Sequence, residues 1–260
     1  MLNLFKRKRA VARPTGETLL HKNLSFSATE AYKLLRTNVL FTLPDSGKCR
    51  IVGVTSSIRG EGKSTTSVNL SYALSMQGKR VLLVDADMRL PTVAKKLEIV
   101  GEPGLSDTII KADGGDEYVQ TMDGFENWYI LPAGNIPPNP TEMLSSPHMA
   151  ALLKKLSESY DFIILDLPPV NVVSDALIAS ELLDGVIVVV RQNYSTRREV
   201  TKCIKQLELS GAKLLGFVMS AVKENRGYYK HGGSHYDGYG EYGYDRGSRG
   251  DDEPDNQEKD

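Results

Sequence analysis

The chain has 260 residues, 40% of them hydrophobic and 25% charged, with 32 lysines and arginines against 33 aspartates and glutamates. That composition is ordinary for a globular protein and leaves room for one large or two small domains. Two cysteines, Cys49 and Cys203, exclude a disulfide framework and suit a reducing cytosol. No apolar run approaches the roughly 20 residues that span a bilayer, and no nucleic-acid partner is expected.

Residues 1–26 read as a basic N-terminal arm carrying "KRKRAVAR". Its charges follow its few apolar residues, the wrong order for a signal peptide. A solvated basic arm of this kind suits an anionic membrane surface. The folded domain is expected over 27–222. It opens with a helix, "SATEAYKLLRTNVLF", in which Ser27 and Glu30 have the spacing of a capping box. At about 100° per residue, Ala31, Leu34, Leu35 and Val39 share one side, and Glu30, Lys33, Arg36 and Thr37 the other.

Short apolar runs rich in β-branched residues then recur: "IVGVTSS", "RVLLVDAD", "WYILPAG", "DFIILDLPP", "GVIVVVRQ" and "LLGFVMSAV". They are too short and too apolar for surface helices and read as strands buried on both faces. Helical stretches lie between them. One starts at Lys63 and stops at Gly78. Another starts at Pro147. A third starts at a Ser/Thr cap, Ser195-Thr196, and stops at Gly211. The alternation predicts an α/β fold, a doubly wound and mainly parallel sheet of the P-loop NTPase type.

Within the first strand–loop–helix unit, "GEGKST" matches the end of a phosphate-binding P-loop. Glycines let backbone N–H groups turn inward onto phosphate oxygens, and the following helix presents its positive end. Ser57, Arg59, Gly60, Glu61, Gly62, Lys63, Ser64 and Thr65 are therefore the candidate nucleotide site. Lys63 would reach the β- and γ-phosphates of ATP, and the Ser64 hydroxyl would bind Mg²⁺. Ser57 stands where the pattern usually has its first glycine. A chance match in a surface loop is the bland alternative, and a strand before with a helix after argues against it.

Asp85 and Asp87 end one strand, with Arg89 just beyond, and Asp166 ends another. Ligands of open parallel sheets bind at the carboxyl ends of strands, so these carboxylates converge on the mouth that holds the P-loop. Any one of them alone could merely cap a turn. Asp166 has the place of a Walker B aspartate, which holds Mg²⁺. The second acidic strand exceeds what an ordinary P-loop ATPase needs. A phenol has a pKa of about 10, so transfer to a tyrosine benefits from a carboxylate that takes its proton, and Asp85 or Asp87 is placed to do so.

Residues 223–260 form a tail whose part from Gly227 onward contains no Leu, Ile, Val, Met or Phe. Without apolar surface to bury, it is expected to be disordered. It nevertheless holds Tyr228, Tyr229, Tyr236, Tyr239, Tyr242 and Tyr244, half of the chain's 12 tyrosines. Either this is sticky low-complexity sequence, or the phenols are substrates.

Together, "GEGKST", "VLLVDADMR", "FIILDLPP", "LPAGNIPPNPTEML" and the tyrosine cluster resemble the bacterial tyrosine kinases of capsular and exopolysaccharide operons. The resemblance implies ATP- and Mg²⁺-dependent phosphorylation of tyrosine, with the chain's own tail as substrate in trans. Lys63, Asp85 and Asp87 would be catalytic, and Ser64, Asp87 and Asp166 would hold the metal. It implies a ring of subunits, in which such kinases use E-x-x-R-x-x-R; here the stretch is Glu30, Lys33 and Arg36, with lysine for the first arginine. It also implies a transmembrane activator that recruits a cytoplasmic chain to the inner face of the membrane, a cognate phosphotyrosine phosphatase and other protein substrates.

Two further readings remain open on sequence. Partitioning or septum-positioning ATPases typically carry a lysine early in the P-loop, where Ile58 stands here. An ATP-binding regulatory module without catalysis would keep the nucleotide site alone.

Overall fold

A computed structural model describes residues 24–43, 47–111 and 116–222. Most of the expected basic arm, residues 1–23, and the whole tyrosine tail, 223–260, lie outside the described residues.

Seven strands form one sheet: β1 (Arg50–Ser56), β2 (Val81–Asp85), β3 (Gln120–Thr121), β4 (Trp128–Leu131), β5 (Phe162–Asp166), β6 (Gly185–Arg191) and β7 (Leu214–Ser220), in the order β3-β4-β2-β5-β1-β6-β7. Every pairing is parallel except β3 with β4. The mainly parallel sheet expected from the buried runs is therefore present, with one short antiparallel edge.

Eight α-helices accompany it among the described residues: α1 (Phe26–Thr42), α2 (Lys63–Ser75), α3 (Val93–Leu97), α4 (Leu105–Lys111), α5 (Pro140–Leu144), α6 (Pro147–Ser157), α7 (Asp175–Ala179) and α8 (Arg197–Leu209). Side chains alternate along a strand, so the strands other than the two-residue β3 feed two cores. Leu82, Val84, Ile163 and Leu165 face α6, α7 and α8 through Leu153, Leu156, Ala176 and Cys203. Val81, Leu83, Phe162 and Ile164 face α1 and α2 through Val39, Leu70 and Leu74. Full burial of such a side chain stabilises the fold by about 1.5–3 kcal/mol before ordering costs.

Four helix ends follow the local chemistry read from sequence. Ser146 caps α6 by accepting from Met149 N at 3.2 Å, with Pro147 as its first residue. Thr196 and Glu199 form a reciprocal capping box on α8. Gly78 and Gly211 hold positive φ just past α2 and α8, where a side chain would be strained.

The first helix departs from expectation. Its N-cap is Ser25, whose hydroxyl accepts from Ala28 N at 3.3 Å. Ser27 is already inside the first turn, and Glu30 pairs with Lys33 at 2.6 Å instead of closing a capping box. Ala31 and Leu34 face outward, and the packed line is Leu35, Val39 and Leu43. Spacing of four residues along that line lets it lie on the α2 core, which rotates Leu34 to the surface.

Candidate active site

β1, β2 and β5 lie side by side, with Val54 opposite Asp166 and Asp166 opposite Asp85. Their shared register brings the P-loop and the acidic strand ends to one edge. The loop leaves β1 at Ser56 and enters α2 at Lys63. Gly60 and Gly62 have φ of 82° and 95°, a left-handed geometry that glycine adopts without strain. Gly62 is the N-cap of α2 and offers no side chain, so the first N–H groups of that helix remain open to an anion.

Lys63 is the centre of the charge arrangement. Its Nζ lies 2.8 Å from Asp87 Oδ2 and 3.5 Å from Asp166 Oδ2, and it donates to Ser64 Oγ at 3.3 Å. Burial opposes its charge, but Asp166, Asp87 and Asp85 together outweigh burial and hold its pKa above the usual lysine range. Asp166 is fully buried. Its Oδ1 accepts from Ser67 Oγ at 3.0 Å, whereas Oδ2 has no hydrogen-bond donor. Burial pushes its carboxyl upward, against the pull of Lys63.

Asp85 and Asp87 have separate surroundings. Asp87 lines a cavity of about 370 Å³ together with Arg59, Lys63, Ser64, Arg89, Leu90, Lys96 and Val172. Asp85 does not line it. Its Oδ2 accepts from Thr92 N and Val93 N at 3.1 and 3.0 Å, and its Oδ1 from Asp87 N at 3.3 Å. Burial first, then the charge of Asp166, pushes its pKa up to about 8. Asp85 therefore ties the turn after β2 from the buried side, while Asp87, whose Oδ1 accepts from Leu90 N at 3.1 Å, borders the cavity.

The expected nucleotide residues divide in the same way. Arg59, Gly60, Gly62, Lys63, Ser64 and Thr65 line the cavity. The side chains of Ser57 and Glu61 turn inward and are fully buried. Glu61 Oε2 accepts from Ser57 Oγ at 2.9 Å and from Ile58 N at 2.7 Å, and Oε1 accepts from Ser195 Oγ. Glu61 braces the loop from behind. Arg191 Nη1 adds a bond to Gly60 O at 3.1 Å, and Ser220 Oγ one to Glu61 O at 2.5 Å. A second cavity of about 510 Å³ lies along the loop's other flank, lined by Gly60, Glu61, Gly62, Thr65, Arg191, Ser220 and by Tyr32 and Leu35 of α1.

Sequence reading missed a supporting cluster. Arg89 grips Asp175 through Nε and Nη2 at 2.7 and 3.1 Å, and Nη2 also donates to Thr141 Oγ1 at 2.8 Å. Thr141 donates in turn to Asp175 at 2.7 Å. Asp175 is the first residue of α7 and almost fully buried. The one sequence signal was an acid in a first helical turn, common enough to pass unnoticed. Thr141 arrives through "LPAGNIPPNPTEML", in which Gly134 takes φ of 79° above Asp107.

The stretch Glu30, Lys33 and Arg36 does not act as one group within the chain. Glu30 and Lys33 pair at the surface. Arg36 turns to α2, donating to Ala73 O at 3.2 Å, with the Gln77 side-chain oxygen also 3.2 Å away.

No group of three or more His, Cys, Asp or Glu side chains forms a metal cage among the described residues. Magnesium beside a nucleotide needs only one or two carboxylates plus phosphate oxygens. The orphaned Asp166 Oδ2, next to the Ser64 hydroxyl and under a lysine charge, fits that requirement. Among the described residues no helix is long and apolar enough to cross a membrane.

Comparison with known proteins matches residues 49–214 to a family described as an AAA domain. Tyrosine-protein kinase YwqD of Bacillus subtilis is 36% identical over 205 residues, covering 77% of this chain and 86% of the relative. The chimerical protein CapA2B2 superposes with a TM-score of 0.73 at 31% identity, over 82% of this chain and 93% of that one. The kinase domain of Escherichia coli tyrosine kinase ETK gives 0.70 at 28% identity, over 84% and 81%. The septum site-determining protein MinD of Pyrococcus horikoshii, solved with Mg-ADP, gives 0.56 at 28% identity, over 66% and 70%.

Proposed function

Since this chain belongs to the bacterial tyrosine-protein kinases, we propose that it transfers the γ-phosphoryl group of ATP to tyrosines of its own tail, held out by a neighbouring subunit. The observation that carries this reading is the cavity wall: Lys63, Ser64 and Asp87 meet there, with Asp166 directly behind. A hydrolase would want that wall open to water. Here one side is apolar, formed by Leu90, Pro168, Pro169 and Val172, and accepts a phenol ring.

Gly60, Gly62 and the open end of α2 would cradle the phosphates, with Lys63 along the β- and γ-groups. The base and ribose would occupy the second cavity, where Arg191 of "VVVRQN" lies. Ser64 and Asp166 would hold Mg²⁺. Bound there, the ion neutralises charge on the β- and γ-phosphate oxygens. The phenol oxygen bonds to the γ-phosphorus, the bond from phosphorus to the β–γ bridging oxygen breaks, and ADP leaves. Asp87 accepts the phenol proton. Of the two duties expected of Asp87, this is the one its position favours. Asp85 acts as a positioning residue, because both its oxygens are engaged by backbone N–H groups.

The reading includes a ring built through α1, a transmembrane activator that brings the chain to the membrane, a phosphatase that resets the tyrosines, and control of capsule or exopolysaccharide export. The relatives' names support the tyrosine-kinase part of this reading, and the CapA2B2 chimera supports the partner chain. Full-length protein incubated with Mg-ATP should become labelled on tyrosine. Lys63→Met should abolish the label in a protein that still folds by circular dichroism, with a lowered thermal midpoint because Asp87 and Asp166 lose their counter-charge. Asp87→Asn should lower kcat by at least a hundredfold, and Asp85→Asn by less. Undiminished labelling in Lys63→Met would overturn the kinase reading.

A further inference from the structure

The cations around the cavity are not equally occupied. Lys63 pairs with Asp87 at 2.8 Å. Arg89 is held by Asp175 and Thr141. Arg59 belongs to the P-loop and faces the space where phosphates would sit. Lys96, on the last turn of α3, also lines the cavity and has no ion pair among the described residues. Close by, Leu90 and Val172 are 49% and 44% exposed and form an apolar lip. The wall thus offers a slot for a flat ring beside an uncompensated ammonium.

Resting on the kinase reading above, we propose that Lys96 selects acceptor tyrosines that have a carboxylate immediately next to them in sequence. The chain's own tail supplies both kinds. Tyr236 is followed by Asp237, Tyr242 is preceded by Glu241, and Tyr244 is followed by Asp245. Tyr228, Tyr229 and Tyr239 have no acidic neighbour, and Tyr229 is followed by Lys230. A ring in the apolar slot places the adjacent residue at the rim, where an ammonium attracts Asp or Glu and repels Lys. The contact is half solvated, so its selectivity is modest, about two- to fivefold in rate, and it fades at high salt.

The test maps phosphorylation of full-length protein over time by mass spectrometry, for the parent, Asp237→Asn, Lys96→Ala and Lys96→Glu. In the parent, Tyr236, Tyr242 and Tyr244 should be labelled ahead of the other three tyrosines. Asp237→Asn should slow Tyr236 alone, about two- to fivefold. Lys96→Ala should make Asp237→Asn silent, and Lys96→Glu should favour Tyr229. The KM for ATP should be unchanged in both Lys96 variants. Equal labelling of Tyr236 with and without Asp237 overturns the proposal. So does a Lys96→Ala protein that keeps the preference, or one whose ATP KM rises while the preference stays. Absence of any tyrosine label in the parent removes the kinase reading, and this inference with it.

Discussion

Glu61 is the residue whose role differs most from its sequence context. A glutamate between two P-loop glycines looks solvent-facing, yet its carboxylate is fully buried and receives Ser57 Oγ, Ile58 N and Ser195 Oγ. Replacing it by alanine would strand buried donors, at about 1–3 kcal/mol. Glu61→Ala should lower the urea midpoint by a corresponding amount and raise the KM for ATP, because the loop loses its brace. An unchanged KM with lowered stability would confine Glu61 to folding alone. The cysteines give a second expectation. Burial, helped by Asp184 and Asp161, pushes Cys49 up to about 12, and burial with Glu61 does the same for Cys203. Only the thiolate reacts, so both thiols should be labelled on the order of a thousandfold more slowly at pH 8 than ordinary cysteine. The rate should rise steeply with pH and recover fully in urea.

At the scale of elements, caps carry measurable weight. Ser146 accepts from Met149 N at the start of α6, whose Leu152, Leu153 and Leu156 enter the core. Ser146→Ala should cost about 1 kcal/mol, read as a shift in the denaturation midpoint with unchanged slope. Elements with strong local signals were legible beforehand. The apolar runs gave six of the strands, although β7 at the sheet edge is not buried on both faces and leaves Phe217 and Met219 exposed, and Thr196, Pro147, Gly78 and Gly211 marked helix ends correctly. Helices α3, α5 and α7 were not legible, because five residues complete little more than one turn and show no periodicity. The two-residue β3 was invisible for the same reason. At the site, Lys63 was read from the P-loop motif, and Asp87 and Asp166 from strand-end placement. Sequence offered no means of separating Asp85 from Asp87, since that difference comes from backbone N–H groups of Thr92 and Val93 folding back on one carboxylate. The face of α1 was misjudged because Leu34 and Leu35 are equally apolar, and only packing on α2 chooses between them.

For the whole molecule, the proposed assembly has a charge-driven exit. A tyrosine in a neighbour's cavity would lie beside Asp87 and nucleotide phosphates. Each phosphate adds about −1.5 to −2 charges, and six would add roughly −9 to −12. Light scattering should therefore show the assembly losing mass after full phosphorylation. A variant with all six tail tyrosines changed to Phe should keep its mass in Mg-ATP, because its rings dock and stay uncharged. A mass unaffected by complete phosphorylation of the parent would leave the tail a substrate without a role in assembly.

The brace behind the P-loop also has a consequence for inheritance. Ser57 and Glu61 share the loop after β1 whereas Ser195 comes just before α8, 134 residues beyond Glu61, yet the three satisfy one another in a buried space. A lineage that loses the carboxylate at 61 is left with two hydroxyls that have nothing to donate to, and one that loses a hydroxyl removes a donor from the carboxylate. These three positions should therefore change together across related sequences, drifting as a set and seldom singly. A broad alignment in which position 61 varies independently of positions 57 and 195 would show that the loop is held by other means in those descendants.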